Sequence, residues 1–391
     1  AVENRFTMGR MFRRRCAFLR AVQEMHSSRS KCSFFRQFDI LYLDFETAKI
    51  VVSRRENFQT HPKRRRRMYH VIVNPGSRSG TGNRIWQGLR SRFLAENVSF
   101  REYRTCYRGH AGKIASAVTA PGVWKEEDLL VVIGGDGTVN EVVTGIRQLQ
   151  KVTLGYIPSG SGNDFARGIG IPSDAEKATE ILRTGKVVSI DVGRVNVGGK
   201  IRRFAISSGI GFDASICHEA LSSRIKNVLN RLHLGKLTYM AIALRQLFVF
   251  REFGMEIVME DRRKVTFERV LFAAAMNMQC EGGGVKFCPD AVCNDGTLDW
   301  LIVEGLPRWK RLVLFPLAVA GKHTGFREVH IRRAKTVTLK TDRKLPVHLD
   351  GESGGLQDRL TVTVEPERLR VLTEPRTNEK TREAEIWDVC V

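Results

Sequence analysis

The segment Gly134-Gly135-Asp136-Gly137-Thr138 carries the strongest chemical signal in the sequence. It lies between an apolar run that ends at Ile133 and a helical pattern that starts at Val139. Glycines let a backbone approach a polyphosphate without a Cβ clash, and amides at the start of a helix can donate to it. A carboxylate in such a loop repels phosphate unless a divalent cation lies between them. The segment therefore predicts a nucleotide site that uses Mg²⁺, although an ordinary strand–turn–helix connection favours the same residue types.

Two other phosphate-binding motifs are excluded. The chain contains no GxxxxGK[ST] segment, which is the P-loop pattern. Gly80-Thr81-Gly82 lacks the third glycine of a dinucleotide-binding loop.

A further Gly-rich loop, Pro158-Ser159-Gly160-Ser161-Gly162, follows another apolar run.

The elements that must position these loops alternate along the chain. Helical spacing covers residues 80–95, 110–118 and 139–146, and apolar runs typical of buried strands cover residues 69–74, 98–104, 128–133 and 152–157. This alternation predicts a parallel α/β sheet, whose ligands lie beyond the carboxyl ends of the strands. Since three Gly-rich loops follow strand ends, we expect them to meet at one crevice.

From about residue 190 onward the pattern predicts a β-rich second domain. Helical patches interrupt it at 220–250 and 308–320, and short apolar or β-branched runs cover 187–212, 255–259, 265–276, 297–303, 329–340, 345–350 and 360–364. The predicted domains are a basic extension at 1–67, a nucleotide-binding α/β domain at 68–190 and a β-rich lipid and metal domain at 191–365. Residues 366–391 are expected to return to the first domain.

The chain is strongly basic, and the charge is uneven. Its 391 residues include 64 Lys or Arg and 42 Asp or Glu, a net charge of +22, which favours an anionic partner such as phosphate, nucleic acid or a membrane surface. Residues 1–67 hold 17 of the basic and 6 of the acidic residues. A nucleic-acid-binding arm fits this extension, but we favour an extension that is disordered or not native, with Met68 as the natural start.

Composition also bears on the compartment. The longest apolar run, Leu312–Ala320, contains Pro316 and is far shorter than the ~20 residues of a membrane span. No apolar signal-peptide core stands near the start. The eight cysteines form no CxxC pair, which favours reduced thiols over a zinc site or a disulfide framework. We therefore expect a cytoplasmic protein, peripheral at the inner membrane face.

Several motifs together resemble a known family. Val73-Asn74-Pro75 with Ser79-Gly80, the Gly134–Thr138 loop and Pro158–Arg167 are similar to the diacylglycerol kinase catalytic domain, and more narrowly to soluble bacterial lipid kinases. The resemblance spans about residues 69–372 and continues in residues 210–213, 282–289, 294–296 and 350–352. NAD kinases and phosphofructokinases share the Gly134–Thr138 loop alone. The resemblance implies an α/β fold of two domains. These are a parallel nucleotide-binding domain of the NAD kinase and diacylglycerol kinase type and a β-rich sandwich, with the active site in the cleft between them.

The resemblance also implies roles for individual residues. The ATP site would be lined by Asn74, Pro75, Gly76, Ser79, Gly80, Thr105, Gly134, Gly135, Asp136, Gly137, Thr138, Val139, Asn140 and Ser161. Asp136 would act on the phosphates through metal and water, with Asp164 and Arg167 in the same charged network. The first loop, residues 74–80, is two residues longer than the common form of the motif, which leaves open which amides contact phosphate.

The second domain would supply the remaining groups. Glu352 would be the general base, supported by Asp350. Asp295 would bind magnesium beside the backbone carbonyls of Val292 and Thr297. Asp350–Glu352 and Asp295 also fit ordinary Asp-Gly turns. His110 could contact phosphate or simply begin a helix, and we favour the second.

The predicted function is an ATP- and Mg²⁺-dependent lipid kinase that phosphorylates a lipid hydroxyl at a membrane surface, with diacylglycerol converted to phosphatidic acid. Phosphatidylglycerol, a sphingoid base or ceramide would keep every motif, and an NAD kinase or a non-enzymatic basic adaptor are further alternatives. No specific nucleic acid is expected, and a homodimer stays open. The basic amphipathic region 220–253 would help to form the lipid entrance, although a core-facing helix has the same pattern.

Overall fold

The computed structural model describes residues 39–45, 48–54, 67–222, 242, 244–260 and 262–374. Within the basic extension, Asp39–Phe45 (β1) and Ala48–Arg54 (β2) form a two-stranded sheet, where the sequence analysis assigned no strand. The rest of the extension, most of the predicted lipid entrance and the end of the segment 366–391 lie outside the described residues.

The first large sheet has six strands. They are Tyr69–Val73 (β3), Phe100–Arg104 (β4), Leu129–Gly134 (β5), Thr153–Pro158 (β6), Lys186–Ile190 (β7) and, from the far end of the chain, Leu369–Thr373 (β17). Their order is β4-β3-β5-β6-β17-β7, and all neighbours are parallel except β17 and β7. The sheet carries the helices Thr81–Ala95 (α1), His110–Val118 (α2), Asp136–Gly145 (α3), Asp164–Ile169 (α4) and Ala175–Thr184 (α5).

Burial explains why β5 and β6 are central. All residues of both strands are buried, as expected for strands covered by helices on both faces. On α1, Trp86, Leu89 and Phe93 are buried at helical spacing and pack into the same core. The helix after β5 starts at Asp136, three residues before the predicted start, because Gly137 interrupts the apolar period from which a helix start is read.

The second domain is antiparallel. Its strands are Gly193–Val197 (β8), Lys200–Phe204 (β9), Ser207–Gly211 (β10), Phe253–Met259 (β11), Lys264–Met276 (β12), Leu298–Glu304 (β13), Val329–Ala334 (β14), Thr336–Leu349 (β15) and Glu352–Val364 (β16). Strands β10 and β11 each pair with both β12 and β15, one toward each end of these long strands. This pairing folds the sheet around a core that includes Phe204 and Trp300. Two helices, Phe212–Ser222 (α6) and Arg308–Ala320 (α7), cover it, and residues 244–249 are also helical.

The two domains are tied together where the chain crosses between them. Strand β17 returns to the first sheet and lies between β6 and β7. The Asn277 amide donates to the carbonyl oxygens of Asp191 and Ala205, at 2.8 Å each, from within the second domain. The predicted two-domain α/β architecture is confirmed.

Two further observations concern composition. No helix among the described residues is long and apolar enough to cross a membrane. None of the described cysteines, Cys106, Cys217, Cys280, Cys288 and Cys293, takes part in a disulfide.

Candidate active site

Two of the Gly-rich loops, residues 134–138 and residues 158–162, approach each other closely at Gly135 and Gly160. The Ser159 amide donates to the Gly134 carbonyl oxygen at 2.8 Å, which continues the pairing of β5 and β6 beyond the strand ends. A Cβ built on Gly135 would lie 3.1 Å from the Gly160 Cα, so side chains at these positions would push the loops apart. Glycine is therefore required here by a close backbone approach.

The first loop is joined to the other two by side chains. The Asn74 amide donates to the Thr138 hydroxyl at 3.0 Å, and the hydroxyls of Ser77 and Ser159 are 2.7 Å apart. The Asn74 side-chain oxygen also accepts from the Gly76 amide at 3.2 Å. Since each loop follows the carboxyl end of a parallel strand, these bonds gather all three loops at one edge of the sheet.

Two carboxylates face each other across Gly162. A Cβ on Gly162 would lie 2.9 Å from the Asp136 Oδ2 atom and 3.4 Å from the Asp164 Oδ2 atom. The Asp136 Oδ1 atom accepts from the Phe165 amide at 3.1 Å, while Asp164 accepts from the Gly283 amide at 2.7 Å and is paired with Arg167. Both acids therefore point into a space that only a glycine leaves open.

Like charge and burial shape the chemistry of this pair. Burial and the neighbouring Asp164 carboxylate raise the pKa of Asp136 to about 6, against the lowering effect of backbone amides. Burial also raises the pKa of Asp164, against the Gly283 amide and the Arg167 guanidinium. Two adjacent carboxylates in a glycine-lined cradle are a donor set that suits a hard divalent cation such as Mg²⁺. The Gly-rich loops and the start of α3 likewise suit a polyphosphate.

Glu352 reaches this site from the second domain. It begins β16, and a Cβ on Gly137 would lie 2.5 Å from its Oε1 atom. Its Oε2 atom is paired with the Arg108 guanidinium, which comes from the loop between β4 and α2. The predicted base therefore lies over the first turn of α3, beside Gly137, which follows Asp136 in the chain.

Asp350 supports the turn that carries Glu352. It is buried, and its two carboxylate oxygens accept from the amides of Ala205, Ile206 and Ser207 at 2.8–3.0 Å. It also accepts from the Asn140 amide at 2.9 Å. Burial raises the pKa of Asp350 against these four donors. The carboxylate thus fixes the β15–β16 turn to the start of β10 and to α3.

The remaining predicted ATP-site residues fall into two groups. Gly76, Ser79 and Ser161 are exposed at the loop tips, and Pro75, Gly80 and Thr105 are partly exposed. Val139 is buried in the core, and the Asn140 amide is committed to Asp350 and to the Arg203 carbonyl oxygen. As placed, Asn140 joins α3 to the second domain. Contact with a nucleotide stays a prediction for all of these residues.

Comparisons with known proteins identify the family of the chain. A family model described as the diacylglycerol kinase catalytic domain matches residues 68–195, and one described as the YegS C-terminal NAD kinase beta sandwich-like domain matches residues 211–373. A diacylglycerol kinase of Bacillus subtilis is 32% identical over 288 residues, covering 73% of this chain and 90% of that protein. The chain belongs to the diacylglycerol kinase catalytic-domain family. It is a lipid kinase.

The chain is also similar to two further proteins. The Bacillus subtilis protein YtlR, named as a candidate lipid kinase, is 32% identical over 307 residues, covering 77% of this chain and 99% of that protein. A crystal structure of a candidate diacylglycerol kinase from Bacillus anthracis matches with a TM-score of 0.62 at 23% identity, covering 82% of this chain and 99% of that one. That structural likeness shows the shared fold.

The predicted metal residues of this lipid kinase lie at the domain junction. The Asp295 carboxylate accepts from the Thr297 amide at 2.9 Å and from its hydroxyl at 2.8 Å, so it closes its own turn. The neighbouring Gly296 amide donates to buried Asp191 at 2.6 Å. Val292 is partly exposed in the same loop. The structure brings these residues together with Asp191, and magnesium binding there stays a prediction.

His110 stands at the start of α2. Its Nδ1 atom accepts from the Cys106 amide at 3.1 Å, and its ring stacks on Tyr107 with centroids 4.6 Å apart. Burial and nearby Lys113 lower its pKa. Glu141 accepts from two amides around it, at 2.6 and 3.1 Å, and so holds the helix start. His110 therefore has the local structural contacts that the sequence analysis favoured.

A buried charge cluster escaped the sequence analysis. The His348 Nε2 atom lies 2.9 Å from an Asp213 carboxylate oxygen and 3.1 Å from one of Glu281. Burial raises the pKa of Glu281 to about 7. Burial lowers the pKa of His348, but the two carboxylates outweigh it and raise it to about 9. An imidazolium between two carboxylates accounts for the cluster, which lies directly before the Asp350–Glu352 turn. The spacing of these residues along the chain did not indicate a cluster, because each of them comes from a different and distant segment.

Proposed function

We propose that the chain transfers the γ-phosphate of ATP to the hydroxyl of diacylglycerol, giving phosphatidic acid, with Mg²⁺ as the metal. The position of Glu352 over Gly137 carries this proposal, because it puts a carboxylate of the second domain beside the phosphate-binding edge of the first. Relatives named diacylglycerol kinase support the choice of acceptor.

The chain's own residues supply binding and alignment. Amides of the Gly134–Thr138 loop and the start of α3 would hold the phosphates. Asp136 and Asp164 would hold Mg²⁺, which supplies neutralisation of phosphate charge when bound. Arg108 and Arg167 flank the cleft and can offset further negative charge. Phosphoryl transfer depends mainly on such positioning and charge neutralisation.

Glu352 would take the proton of the acceptor. As the lipid oxygen bonds to the γ-phosphorus, the bond from that phosphorus to the bridging oxygen breaks and ADP leaves. An alcohol holds its proton tightly, so the carboxylate accepts it only as the new bond forms. Arg108 holds the Oε2 atom of Glu352, while the Oε1 atom faces Gly137. Oε1 is therefore the atom we assign to proton transfer.

The acceptor is tested with radiolabelled ATP and a panel of lipids in mixed micelles. The panel holds diacylglycerol, phosphatidylglycerol, a sphingoid base and ceramide, with NAD as a soluble alternative. We expect label in phosphatidic acid, and about 100-fold or more loss in Glu352→Gln. Label in another product alone would overturn the choice of diacylglycerol. Wild-type rates in Asp136→Ala would overturn the mechanism.

We further propose that the enzyme acts on the cytoplasmic side, peripheral at the inner membrane face. Outside residues 1–67 the chain still holds 47 Lys or Arg and 36 Asp or Glu, and this net charge of +11 supports contact with anionic lipid. The proposed acceptor is a membrane lipid, which gives the protein a reason to reach that surface.

A further inference from the structure

Helix α7 is apolar on two opposite faces. Its buried face includes Ala318 and Leu314, and Leu314 packs into a core of the second domain. The side chains of Trp309, Leu312, Val313 and Val319 are nevertheless 65, 42, 49 and 43% exposed. At about 100° per residue these four positions form one stripe, where a helix of a soluble domain normally carries polar residues.

A second apolar helix lies directly against α7. The buried Arg311 guanidinium donates to the carbonyl oxygens of Leu247 and Phe250 at 3.0 and 3.2 Å and pairs with Glu252 at 2.7 Å. It therefore fixes α7 to the helical residues 244–249. That helix exposes three apolar side chains, Leu244, Phe248 and Val249.

The exposed apolar residues are concentrated on these two helices. Seven of the twelve exposed large apolar side chains in the described part of the chain belong to them. Scattered exposed apolar residues are normal, but a contiguous set marks an interaction surface.

The charge around α7 identifies the partner. Of the five Lys or Arg in residues 305–327, Arg311 is buried and paired with Glu252, and Lys310 and Arg327 are paired with Glu328. Arg308 and Lys322 therefore set the charge beside the exposed apolar stripe. Arg308 begins the helix and Lys322 follows its end, and both are exposed. An apolar stripe with a tryptophan, bordered by cations, is typical of helices that lie in the interface of an anionic membrane. A second copy of the chain would bring the same cations to this face and be repelled.

We propose that α7 and residues 244–249 form a docking face for an anionic lipid bilayer. Trp309, Leu312 and Val313 enter the boundary between headgroups and acyl chains, and Arg308 and Lys322 contact the anionic headgroups. The proposal rests on the lipid kinase function proposed above and names the surface through which the enzyme meets the membrane that holds its acceptor.

The apolar contribution is tested by vesicle flotation of the full chain. The probes are vesicles of phosphatidylcholine alone and of equal parts phosphatidylcholine and phosphatidylglycerol. We expect Trp309→Ser/Leu312→Ser/Val313→Ser to weaken binding to the mixed vesicles about tenfold or more. The matched control is Val123→Ser/Ile201→Ser, which removes side chains 55 and 63% exposed elsewhere and should bind as wild type does. Unchanged binding by the triple variant overturns the proposal.

The charge contribution is tested separately. Arg308→Gln/Lys322→Gln should weaken binding to the mixed vesicles by about fivefold per cation, with no loss on phosphatidylcholine alone. Equal losses on both vesicles would contradict a headgroup contact. Sedimentation equilibrium tests whether a second copy of the chain occupies this face instead. A wild-type dimer that the triple variant breaks, with vesicle binding intact, would assign the face to a second copy and overturn the proposal.

Kinase assays separate this proposal from the proposed function. With a short-chain diacylglycerol dissolved as monomers, the triple variant should match wild type. With long-chain diacylglycerol in the mixed vesicles it should be slower by the loss in binding. If wild type phosphorylates no diacylglycerol but the triple variant still loses vesicle binding, the acceptor is wrong and the docking face stands. Equal rates of both proteins on vesicles would overturn the docking face alone.

Discussion

At the scale of single residues, the cleft depends on glycines that leave room for charged groups from elsewhere. Gly162 leaves space for two carboxylates, and Gly137 leaves space for Glu352. A side chain at either position would contact these carboxylates before it contacted the backbone. Such substitutions should therefore affect chemistry more than folding.

Gly137→Ala tests this directly. Its Cβ would lie 2.5 Å from the Glu352 Oε1 atom, so the carboxylate must move while the backbone of α3 stays. We expect kcat to fall about 10–100-fold, because small displacements of a reacting group cost that much. The free energy of unfolding should change by no more than about 1 kcal/mol. The control is Gly88→Ala in α1, which meets nothing within 4 Å and should leave kcat unchanged. Equal kcat values for both variants would contradict the placement of Glu352.

Asp136 makes the free protein sensitive to pH. Its pKa rises from 3.8 to about 6 on folding, so the folded state holds this proton more tightly than the unfolded chain does. The contribution of Asp136 to the stability of the metal-free protein therefore falls as pH rises from about 4 to about 6 and is level above that. A bound divalent cation removes this cost because it favours the ionised form.

Asp136→Asn should stabilise the metal-free protein at pH 8, by up to about 3 kcal/mol, and abolish phosphate transfer. The stability gain should vanish near pH 4, where the wild-type carboxyl group is neutral in the folded protein. Urea unfolding at both pH values measures it. Mg²⁺ should raise the wild-type Tm at pH 8 and leave the variant unchanged. A gain of the same size at both pH values would show that the charge of Asp136 is not the cause.

At the scale of elements, the turn between β15 and β16 unites support and chemistry. Asp350 has a φ of 50°, and it satisfies three consecutive amides, those of residues 205–207. Two residues later Glu352 lies beside Gly137 at the Gly-rich edge of the first sheet. One turn therefore supports the second domain and places the proposed base beside the first.

The two acids of this turn should fail in different ways. Asp350→Ala leaves buried amides without an acceptor and should lower the free energy of unfolding by about 3 kcal/mol or more. Glu352→Gln should unfold as wild type does and lose transfer. Asp358→Ala, an exposed acid on the same strand, should change neither property. Urea unfolding with parallel kinase assays measures both, and wild-type stability of Asp350→Ala would refute the supporting role.

At the scale of the whole molecule, the catalytic cleft exists because the chain crosses between its domains and returns. Strand β17 completes the first sheet after the whole second domain has been built. The first sheet is therefore incomplete until the chain's last described strand is in place. Near the start of the first sheet, the Met68 carbonyl oxygen accepts from the Leu129 amide at 2.9 Å, and the Arg67 side chain donates to the Glu127 carbonyl oxygen at 3.1 Å.

A chain that starts at Met68 should keep kcat and KM within about twofold of the full chain, because the candidate active-site residues that the structure describes all lie at Asn74 or later in the chain. A kinase assay on a lipid dispersed in detergent measures this. The same assay separates an enzyme from a basic adaptor that acts through its Arg-rich extension. Loss of turnover, with the fold intact by circular dichroism, would assign the extension a part in catalysis.

The alternation of strands and helices, the Gly-rich loops at strand ends and the family could all be predicted from the amino-acid sequence. These features are local, since apolar period and glycine content report how a short segment folds. The meeting of the first three loops followed, because parallel strands joined by helices carry their carboxyl ends to one edge of the sheet.

Contacts between side chains that are distant in the chain could not be predicted from the sequence and become visible in the folded protein. Asn140 and Asp350 are 210 positions apart, and their hydrogen bond links the two domains, while the predicted contact of Asn140 with ATP stays a prediction. The cluster of Asp213, Glu281 and His348 and the apolar stripe of α7 were decided in the same way. The physical reason is that such contacts, and the exposure of a helix face, depend on how complete domains pack, which no local pattern encodes.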